Sequence, residues 1–399
     1  GFGIASARTQ LDTRSAGLLR QIRPAHLYLA LDLGEADWHE RLNAGIDQAA
    51  QLGASLELSV VAAPGDTGFD RLARALRSAP APVARVFVFP AVEETVVFPR
   101  HDLETTESVV SAARVAFKHD GVDVVLGGGT RAYFTELNRA DRLPVDQFDV
   151  VTYTINPQVH AFDNLSLVET LAAQAATVES ARHMAKGRPL AVGPVTLRPR
   201  FNPNATGPEP AIGPDALPPS VDPRQLSLFG AGWTVGSLHR LAAAGVDSVT
   251  YYETVGWRGL FERSEGLTRR SRFPSQPGQL FPLFHVFAAL AGMSGADVLP
   301  TTLEEPLSCE TLALRSNGRV LLLVANFANE ERSVDVLAPA LADATVRYLD
   351  EETAAIAASD PLFFVNTEGD AVVSRAGVIT LTLKPFAVAR VTGSATDQH

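Results

Sequence analysis

The sequence has 399 residues, of which 46% are hydrophobic and 20% are charged. These fractions exclude a disordered chain, and the length corresponds to about two or three domains of ordinary size. The formal charge of −11 at pH 7 argues against a nucleic-acid partner, because phosphate backbones are met by basic surfaces.

Cysteine content and hydropathy indicate the cellular environment of the chain, and the first residue indicates its extent. Cys309 is the single cysteine, so no internal disulfide can form, and a reducing, cytoplasmic location is the simpler interpretation. No run reaches the roughly 18 to 20 apolar residues of a membrane helix, so we expect no membrane partner. Position 1 is a glycine, so we expect the sequence to be part of a longer chain.

From residue 1 to about 295, short β-rich apolar runs alternate with longer segments of helical period. This alternation is typical of βα units around a parallel sheet. The predicted strands are Gly3–Ser6, His26–Leu33, Leu56–Ala62, Ala84–Phe89, Asp123–Gly127, Asp149–Thr154, Leu190–Thr196 and Ser248–Tyr252. Eight strands in a chain of this length predict a (β/α)8 TIM barrel.

Helical segments lie between these strands and follow the last one. They are predicted at Arg14–Ile22, Trp38–Leu52, Phe69–Arg77, Glu107–Phe117, Leu167–Ala185, Arg224–Ala244 and Phe281–Gly292. The fifth unit is the weakest, because Arg131–Leu143 must supply both a loop and a short helix. The stretch Pro199–Pro223 contains eight prolines and forms either a linker or a long active-site loop; its place inside a barrel unit favours the loop.

The pattern changes at about Asp297, where short alternating strands replace the helical segments. Seven strands are predicted, at Ala313–Arg315, Arg319–Phe327, Ser333–Leu337, Ala344–Tyr348, Ala371–Ser374, Val378–Leu383 and Ala387–Val391. Such spacing indicates a small antiparallel β-sandwich. We therefore predict a barrel domain over residues 1–295 and a β-sandwich domain over residues 296–399.

Polar and aromatic side chains concentrate where the last four barrel strands end. In a TIM barrel, the strands' C-terminal ends and the loops after them hold the reactive groups. Aromatic faces beside hydrogen-bonding groups suit a polyhydroxylated ligand, and Arg198, Arg200 or Arg258 could hold a carboxylate or an oxyanion. The predicted substrate-binding residues are Asn138, Tyr153, Asn156, His160, Arg198, Tyr252, Trp257 and Arg258.

Two glutamates are the candidate catalytic residues. Glu253 directly follows the eighth strand, and Glu136 follows the fifth. Two carboxylates across a sugar-sized pocket can act as an acid and base pair, or as an acid and a nucleophile. The alternative is that each glutamate only pairs with an arginine, Arg139 or Arg131 for Glu136 and Arg258 for Glu253.

Common motifs give no support for other chemistry. The Gly127–Gly129 run lacks the Gly-Lys-Ser/Thr of a phosphate loop, so close backbone packing is the better interpretation. The histidines form no His-x-His or His-Glu-x-x-His pattern, and no Gly-x-Ser-x-Gly motif occurs. We expect neither a metal nor an organic cofactor.

Four strand-end regions carry a more specific signal. They read GGGT at 127–130 with FTELNR at 134–139, YTINPQVHAF at 153–162, VTLRPRFNPNATG at 195–207 and TYYETVGWRGL at 250–260. These segments resemble the bacterial D-apionate lactonase family, and the resemblance extends over the barrel and the β-sandwich. It implies a lactone hydrolase that opens D-apionolactone to D-apionate in apiose catabolism, with the architecture of retaining glycosidases. It also implies a further N-terminal β-domain, which we expect to precede this sequence.

Three functions stay open on the sequence alone. A sugar-lactone hydrolase would use Glu253 to activate water or to attack the carbonyl, Glu136 to protonate the ring oxygen, and Arg198, Asn156 or His160 to stabilise the oxyanion. A glycoside hydrolase could use the same pair of glutamates at an anomeric carbon. A non-catalytic carbohydrate-binding barrel would leave the glutamates without a joint role. A small-molecule sugar lactone is the expected partner under the first function, together with a possible homo-oligomer.

Overall fold

The computed structural model describes most of the chain, and the structural statements below concern these residues only. They are residues 1–6, 10–91, 103–140, 143–200, 212–213, 216–266, 272–338, 341–366, 369–375 and 377–395. About half of the predicted loop at Pro199–Pro223, namely residues 201–211 and 214–215, therefore lies outside the described residues. None of the described helices is long and apolar enough to cross a membrane.

In the described part of the chain, eight parallel strands close into a barrel in the order β1 to β8. The barrel closes where β1 pairs with both β2 and β8. This architecture confirms the predicted TIM barrel. The strands are β1 (Phe2–Gly3), β2 (His26–Asp32), β3 (Ser55–Ala62), β4 (Val83–Pro90), β5 (Val125–Tyr133), β6 (Val150–Ile155), β7 (Leu190–Val195) and β8 (Ser248–Glu253).

Helices follow the strands where the apolar residues recur at helical spacing. Asp12 caps α1 by accepting the Ser15 N–H at 2.6 Å, and Ser227 caps α7 by accepting the Gly230 N–H at 3.1 Å. The cap at Ser227 divides the predicted helix Arg224–Ala244 into a 3-10 turn and α7. The helices are α1 (Thr13–Ile22), α2 (Trp38–Leu52), α3 (Gly68–Arg77), α4 (Leu103–His119), α5 (Phe134–Arg139), α6 (Asn164–Ala185), α7 (Leu228–Ala243) and α8 (Pro282–Leu290).

Strand β5 corrects the sequence prediction, which ended this strand at Gly127. The strand continues to Tyr133, so the glycine run lies inside it. A Cβ atom at Gly128 would overlap the Phe148 ring, and one at Gly129, where φ is 140°, would overlap the Thr152 carbonyl oxygen. Glycines usually weaken strands, but here neighbouring groups fill the space that side chains would take. These close contacts support the packing interpretation of the run, with backbone as the neighbour at Gly129 and side chains at Gly128.

The C-terminal region forms antiparallel sheets, which confirms the predicted β-sandwich class. Among the described residues, one sheet has the strand order β14-β13-β16-β11-β10-β9, and a second pairs β12 with β15. These strands are β9 (Asp297–Leu299), β10 (Cys309–Ser316), β11 (Arg319–Asn326), β12 (Arg332–Leu337), β13 (Leu341–Leu349), β14 (Asp370–Ala371), β15 (Val378–Leu383) and β16 (Val388–Ala395).

Three short elements of this region were missed from the sequence. Strand β9 has three residues, and the helices α9 (Ala354–Ala357) and α10 (Phe363–Asn366) have four each. Segments this short span little more than one period, whereas the hydrophobic pattern becomes recognisable only over about four to eight strand residues or a longer helical window. The core between the sheets is formed by side chains such as Val324, Ile379 and Leu381.

Backbone contacts divide the chain into two compact units. The first is Gly1–Val159, Ala176–Ser220 and Val246–Thr254, and it contains all eight barrel strands. The second is His160–Ala175, Val221–Gly245 and Val255–His399, and it contains α7, α8 and the β-sandwich strands. The predicted domain boundary between residues 295 and 296 stays a prediction.

Candidate active site

Glu253 is a buried carboxylate at the C-terminal end of β8. The residue is only 5% exposed. Oε1 accepts the Ser6 hydroxyl at 2.6 Å, and Oε2 accepts the Ser6 backbone N–H at 3.2 Å. Arg200 Nη2 also donates to Oε1, at 3.4 Å. Both carboxylate oxygens therefore have donors, as a buried carboxylate requires.

The closure of the barrel brings these residues together. Gly3 of β1 pairs with Glu253 of β8, and the Gly3 carbonyl accepts the Thr254 N–H at 2.8 Å. A Cβ atom at Gly3 would lie 2.7 Å from the Tyr252 carbonyl oxygen and 3.7 Å from Glu253 Cγ and from Arg200 Nη1. A larger residue at position 3 would therefore press into the strand and the side chains that form the site.

Tyr252 precedes Glu253 and has an unusual backbone conformation. Its φ of 40° lies in the left-handed region, which costs energy for a residue with a side chain. The residue is 1% exposed, and its ring lies 5.7 Å from that of Tyr251. Such strain persists only where the surroundings enforce it, and here it sets the direction of the chain immediately before the carboxylate.

A second buried polar group lies in the barrel, at Tyr28 of β2. Burial raises the pKa of Tyr28, the positive charges of Arg200 and Arg131 oppose that rise, and the negative charge of Glu57 adds to it. Burial lowers the pKa of Arg131, and Tyr28 and Asp32 oppose that effect. The positive charges of Arg131 and Arg200 thus act on the same buried phenol.

Glu136, the second predicted catalytic residue, lies in the first turn of α5. It is 8% exposed, and its Oε1 accepts a hydrogen bond from Arg139 Nη1 at 3.1 Å. The predicted alternative for Glu136, pairing with Arg139, is therefore present in the structure. For Glu253, the arginine that makes the described contact is Arg200, not one of those expected from the sequence.

Two of the predicted binding residues lie on or after β6 but differ in their surroundings. Asn156 follows the strand, and its buried Oδ1 has no hydrogen-bond partner within the described ranges. The Tyr153 hydroxyl bonds to Thr177 of α6 at 3.0 Å, its ring lies 5.6 Å from Phe134, and burial raises its pKa to about 12. Asn156 is therefore available to a ligand, whereas Tyr153 is engaged with α6.

Of the remaining predicted binding residues of the first unit, Tyr252 is buried, as described above, whereas two others are more exposed. Asn138 lies on the exposed surface of α5, and Arg198 is half-buried after β7. The Arg198 carbonyl accepts the Thr196 hydroxyl at 2.7 Å, which fixes the backbone turn that carries the guanidinium group.

Three predicted binding residues belong to the second unit. His160 is exposed. The Trp257 ring lies 5.8 Å from Phe273, and its buried Nε1 has no acceptor in the part of the chain that the structure describes. The Arg258 carbonyl accepts a hydrogen bond from Gln225 Nε2 at 3.4 Å.

Sequence reasoning missed Ser6 and Arg200 as partners of Glu253. Ser6 was treated as a strand residue, and Arg200 only as a possible anion ligand. The contact between Ser6 and Glu253 joins residues 247 positions apart, so no local pattern could show it. The one usable signal was the order of the strands, because the first and last strands of a barrel are neighbours.

Within the described ranges, no group of three or more His, Cys, Asp or Glu side chains is placed to hold a metal ion. The described partners of Glu253 are a serine hydroxyl, a backbone N–H and one guanidinium group.

Two family models match the chain, one over the barrel and one over the C-terminal sheets. The D-apionate lactonase TIM barrel domain matches residues 1–295, and the D-apionate lactonase C-terminal immunoglobulin-like domain matches residues 306–391. The chain belongs to the D-apionate lactonase family. A curated D-apionate lactonase from Brucella anthropi is 33% identical over 216 residues, which are 53% of this chain and 34% of the relative. The aligned part of the chain thus spans about a third of that relative's length.

Solved structures share the fold of this D-apionate lactonase family member. A bifunctional glucanase-xylanase from a metagenome library superposes with a TM-score of 0.63 at 12% identity, over 99% of this chain and 96% of that one. The α-L-arabinofuranosidase of Thermotoga maritima gives a TM-score of 0.60 at 12% identity, over 98% and 92% of the two chains. At these identities the likeness concerns the fold alone.

Proposed function

We propose that this chain acts in the opening of a sugar lactone, D-apionolactone, to D-apionate in apiose catabolism. Membership of the D-apionate lactonase family supports the reaction class. The observation that carries the proposal is the buried Glu253 carboxylate, which lies at a barrel-strand end and accepts hydrogen bonds from Ser6 and Arg200.

In the proposed reaction, Glu253 is the general base. It removes a proton from the water that attacks the lactone carbonyl carbon, and the resulting tetrahedral oxyanion is stabilised by positive charge from Arg200 and Arg131. Collapse of this intermediate breaks the bond between the carbonyl carbon and the ring oxygen. The ring oxygen takes a proton and leaves as a hydroxyl of the same molecule.

The source of that proton is the second part of the proposal. Glu136 serves as the acid if its carboxyl group leaves Arg139 when substrate is bound; otherwise the proton returns from Glu253. A Glu136→Gln variant separates these routes. If Glu136 is the acid, the variant loses most of its activity, and if it only pairs with Arg139, the activity stays close to that of the wild type.

Asn156 supports a polyhydroxylated substrate. Its buried Oδ1 is an acceptor without a partner among the described residues, and a sugar hydroxyl is a donor that would satisfy it. We propose that Asn156 binds a substrate hydroxyl or, through its amide N–H, the oxyanion. Arg198 and His160 remain candidates for the same role.

A direct comparison of substrates tests this function. The purified protein is assayed on D-apionolactone, on an unbranched aldonolactone and on aryl glycosides, with lactone opening followed by acid release. We expect opening of the branched lactone and no release of the aryl group. Turnover of the aryl glycosides alone would replace the proposal with a glycoside hydrolase, and saturable binding without any turnover would identify a carbohydrate-binding barrel.

A further inference from the structure

Ser6 makes two hydrogen bonds to Glu253, one to each carboxylate oxygen. Its hydroxyl donates to Oε1 at 2.6 Å, and its backbone N–H donates to Oε2 at 3.2 Å. Ser6 is exposed, whereas Glu253 is only 5% exposed. A residue at the surface of the site therefore holds the carboxylate that lies beneath it.

We propose that Ser6 is a positioning residue, which fixes the orientation of the Glu253 carboxylate for proton transfer. The proposal rests on the proposed function only in taking Glu253 as the general base. It assigns to the hydroxyl of Ser6 a role in the rate of the chemical step and not in substrate binding.

The geometry explains why one residue can fix the carboxylate plane. A glutamate side chain has three rotatable bonds, and a single donor leaves the carboxylate free to turn about the last one. Two donors on different oxygens remove that freedom. Ser6 lies three residues after β1, whose Gly3 pairs with Glu253 of β8, so a short segment connects the backbone donor to the strand that neighbours the carboxylate.

The hydroxyl is the stronger half of this clamp. An O–H donor at 2.6 Å from a carboxylate oxygen is within the range of charge-assisted hydrogen bonds, while the Arg200 contact to the same oxygen is longer, at 3.4 Å. The carboxylate only accepts, so the Ser6 hydroxyl must donate to it. Threonine keeps this donor, and alanine removes it without changing the backbone.

The test is a set of matched variants assayed by steady-state kinetics. Because a misplacement of about 1 Å can cost roughly 100-fold in rate, we expect Ser6→Ala to lower kcat by about 10- to 100-fold. We expect KM to change by less than about threefold, since the substrate contacts stay in place. Ser6→Thr should restore most of kcat. Ser78→Ala is the control, because Ser78 is an exposed serine that donates only to Ala75 at the end of α3.

A double-mutant cycle shows whether Ser6 acts through Glu253. In a Glu253→Gln background the Ser6→Ala change should have little further effect on kcat, because the carboxylate that it positions is gone. Circular dichroism and the urea midpoint of each variant confirm that the fold is kept.

Four results would overturn the proposal. They are an unchanged kcat in Ser6→Ala, a loss confined to KM, equal losses in the wild-type and Glu253→Gln backgrounds, and an acyl ester trapped on Ser6, which would make it a nucleophile. If the wild type turns over aryl glycosides and not lactones, the lactonase function fails and the same cycle is measured on the glycoside. A wild type that turns over neither substrate overturns both proposals.

Discussion

At the scale of single residues, the central feature of the site is a buried carboxylate, Glu253, that is hydrogen-bonded to protein groups. Glu253 has its oxygens bound by Ser6 and Arg200, and each donor comes from a different segment of the chain. Arg200 follows β7, so three barrel strands contribute to one carboxylate. These hydrogen bonds offset the free energy lost when the carboxylate is removed from water. If one donor is removed, that loss is no longer fully compensated.

Arg200 gives the first prediction at this scale. An Arg200→Met variant keeps the length of the side chain but removes the charge, so the oxyanion loses a stabilising group and Glu253 loses a donor. We expect kcat on the lactone to fall by about 100-fold. Arg74→Met, at an exposed position of α3, is the control and should keep full activity. Equal activities of the two variants would remove Arg200 from the site.

His285 gives a prediction about pH. The residue is fully buried, its Nε2–H donates to the Ala357 carbonyl at 2.8 Å, and burial lowers its pKa. Below the ordinary histidine pKa of about 6.5, the unfolded chain therefore binds a proton that the folded chain does not. The contribution to stability is complete above that pKa and is lost as the pH falls, by up to about 1.4 kcal/mol per pH unit.

The measurement is urea denaturation at pH 7 and pH 5 for the wild type and for His285→Phe. We expect the free energy of unfolding to fall more steeply in the wild type, because the variant has no group to titrate at this position. The variant is less stable at pH 7, since the Ala357 carbonyl loses its donor. Parallel pH dependences would show that His285 does not remain neutral in the folded state.

At the scale of elements, a buried ion cluster joins α7 to β10 in the second unit. Glu310 is fully buried, and its two oxygens contact His239 Nδ1 and Arg240 Nε, each at 2.9 Å. Gly236 lies one turn before His239, and a Cβ atom there would be 3.1 Å from Glu310 Cγ. The helix therefore approaches the strand closely at the point where the charges meet.

Removal of this glutamate tests the cluster. Breaking a buried ion pair from one side costs about 3 to 5 kcal/mol, so Glu310→Ala should lower the free energy of unfolding of the second unit by that amount. Glu305→Ala is the matched control, because Glu305 is exposed and pairs with Arg332 at 2.7 Å on the surface. That control should cost at most about 1 kcal/mol. Similar losses in both variants would contradict the account.

The glycine run of β5 gives a second prediction for an element. Ala at position 129 would place a Cβ atom against the Thr152 carbonyl and would keep a φ of 140°. We expect Gly129→Ala to destabilise the barrel by about 3 kcal/mol, since strain and overpacking add. Gly17→Ala, in α1 with no atom within 4 Å of the new Cβ, should instead stabilise the protein by about 0.5 to 1 kcal/mol. Thermal unfolding measures both, and a stable Gly129→Ala barrel would contradict this packing.

At the scale of the whole molecule, the sequence predicted the architecture because hydrophobic periodicity reports on burial. β2 was predicted at His26–Leu33 and found at His26–Asp32, and β15 was predicted and found at Val378–Leu383. β5 was predicted too short, because the packing that favours its glycines comes from distant residues.

The candidate site was predicted less completely than the fold. The position of Glu253 followed from the end of an apolar strand, but its partners did not, because Ser6 and Arg200 reach it only through the closure of the barrel. Glu136 was predicted as a candidate from its place after the fifth strand. Its possible ion-pair partner was predicted only as Arg139 or Arg131, and the structure shows Arg139. Tyr153 was predicted to bind substrate, but its hydroxyl bonds to Thr177 of α6. Alternation along a strand does not tell which face points to the barrel interior and which to a helix.

The central claim is that Glu253 is the base of a lactone hydrolase, and the rate of D-apionolactone opening by Glu253→Gln tests it most directly. General-base catalysis contributes about 100- to 10,000-fold, so we expect a loss of that size in kcat. Glu179→Gln, at an exposed position in the second half of α6, should match the wild type. A Glu253→Gln enzyme that opens the lactone as fast as the Glu179→Gln enzyme would contradict the claim.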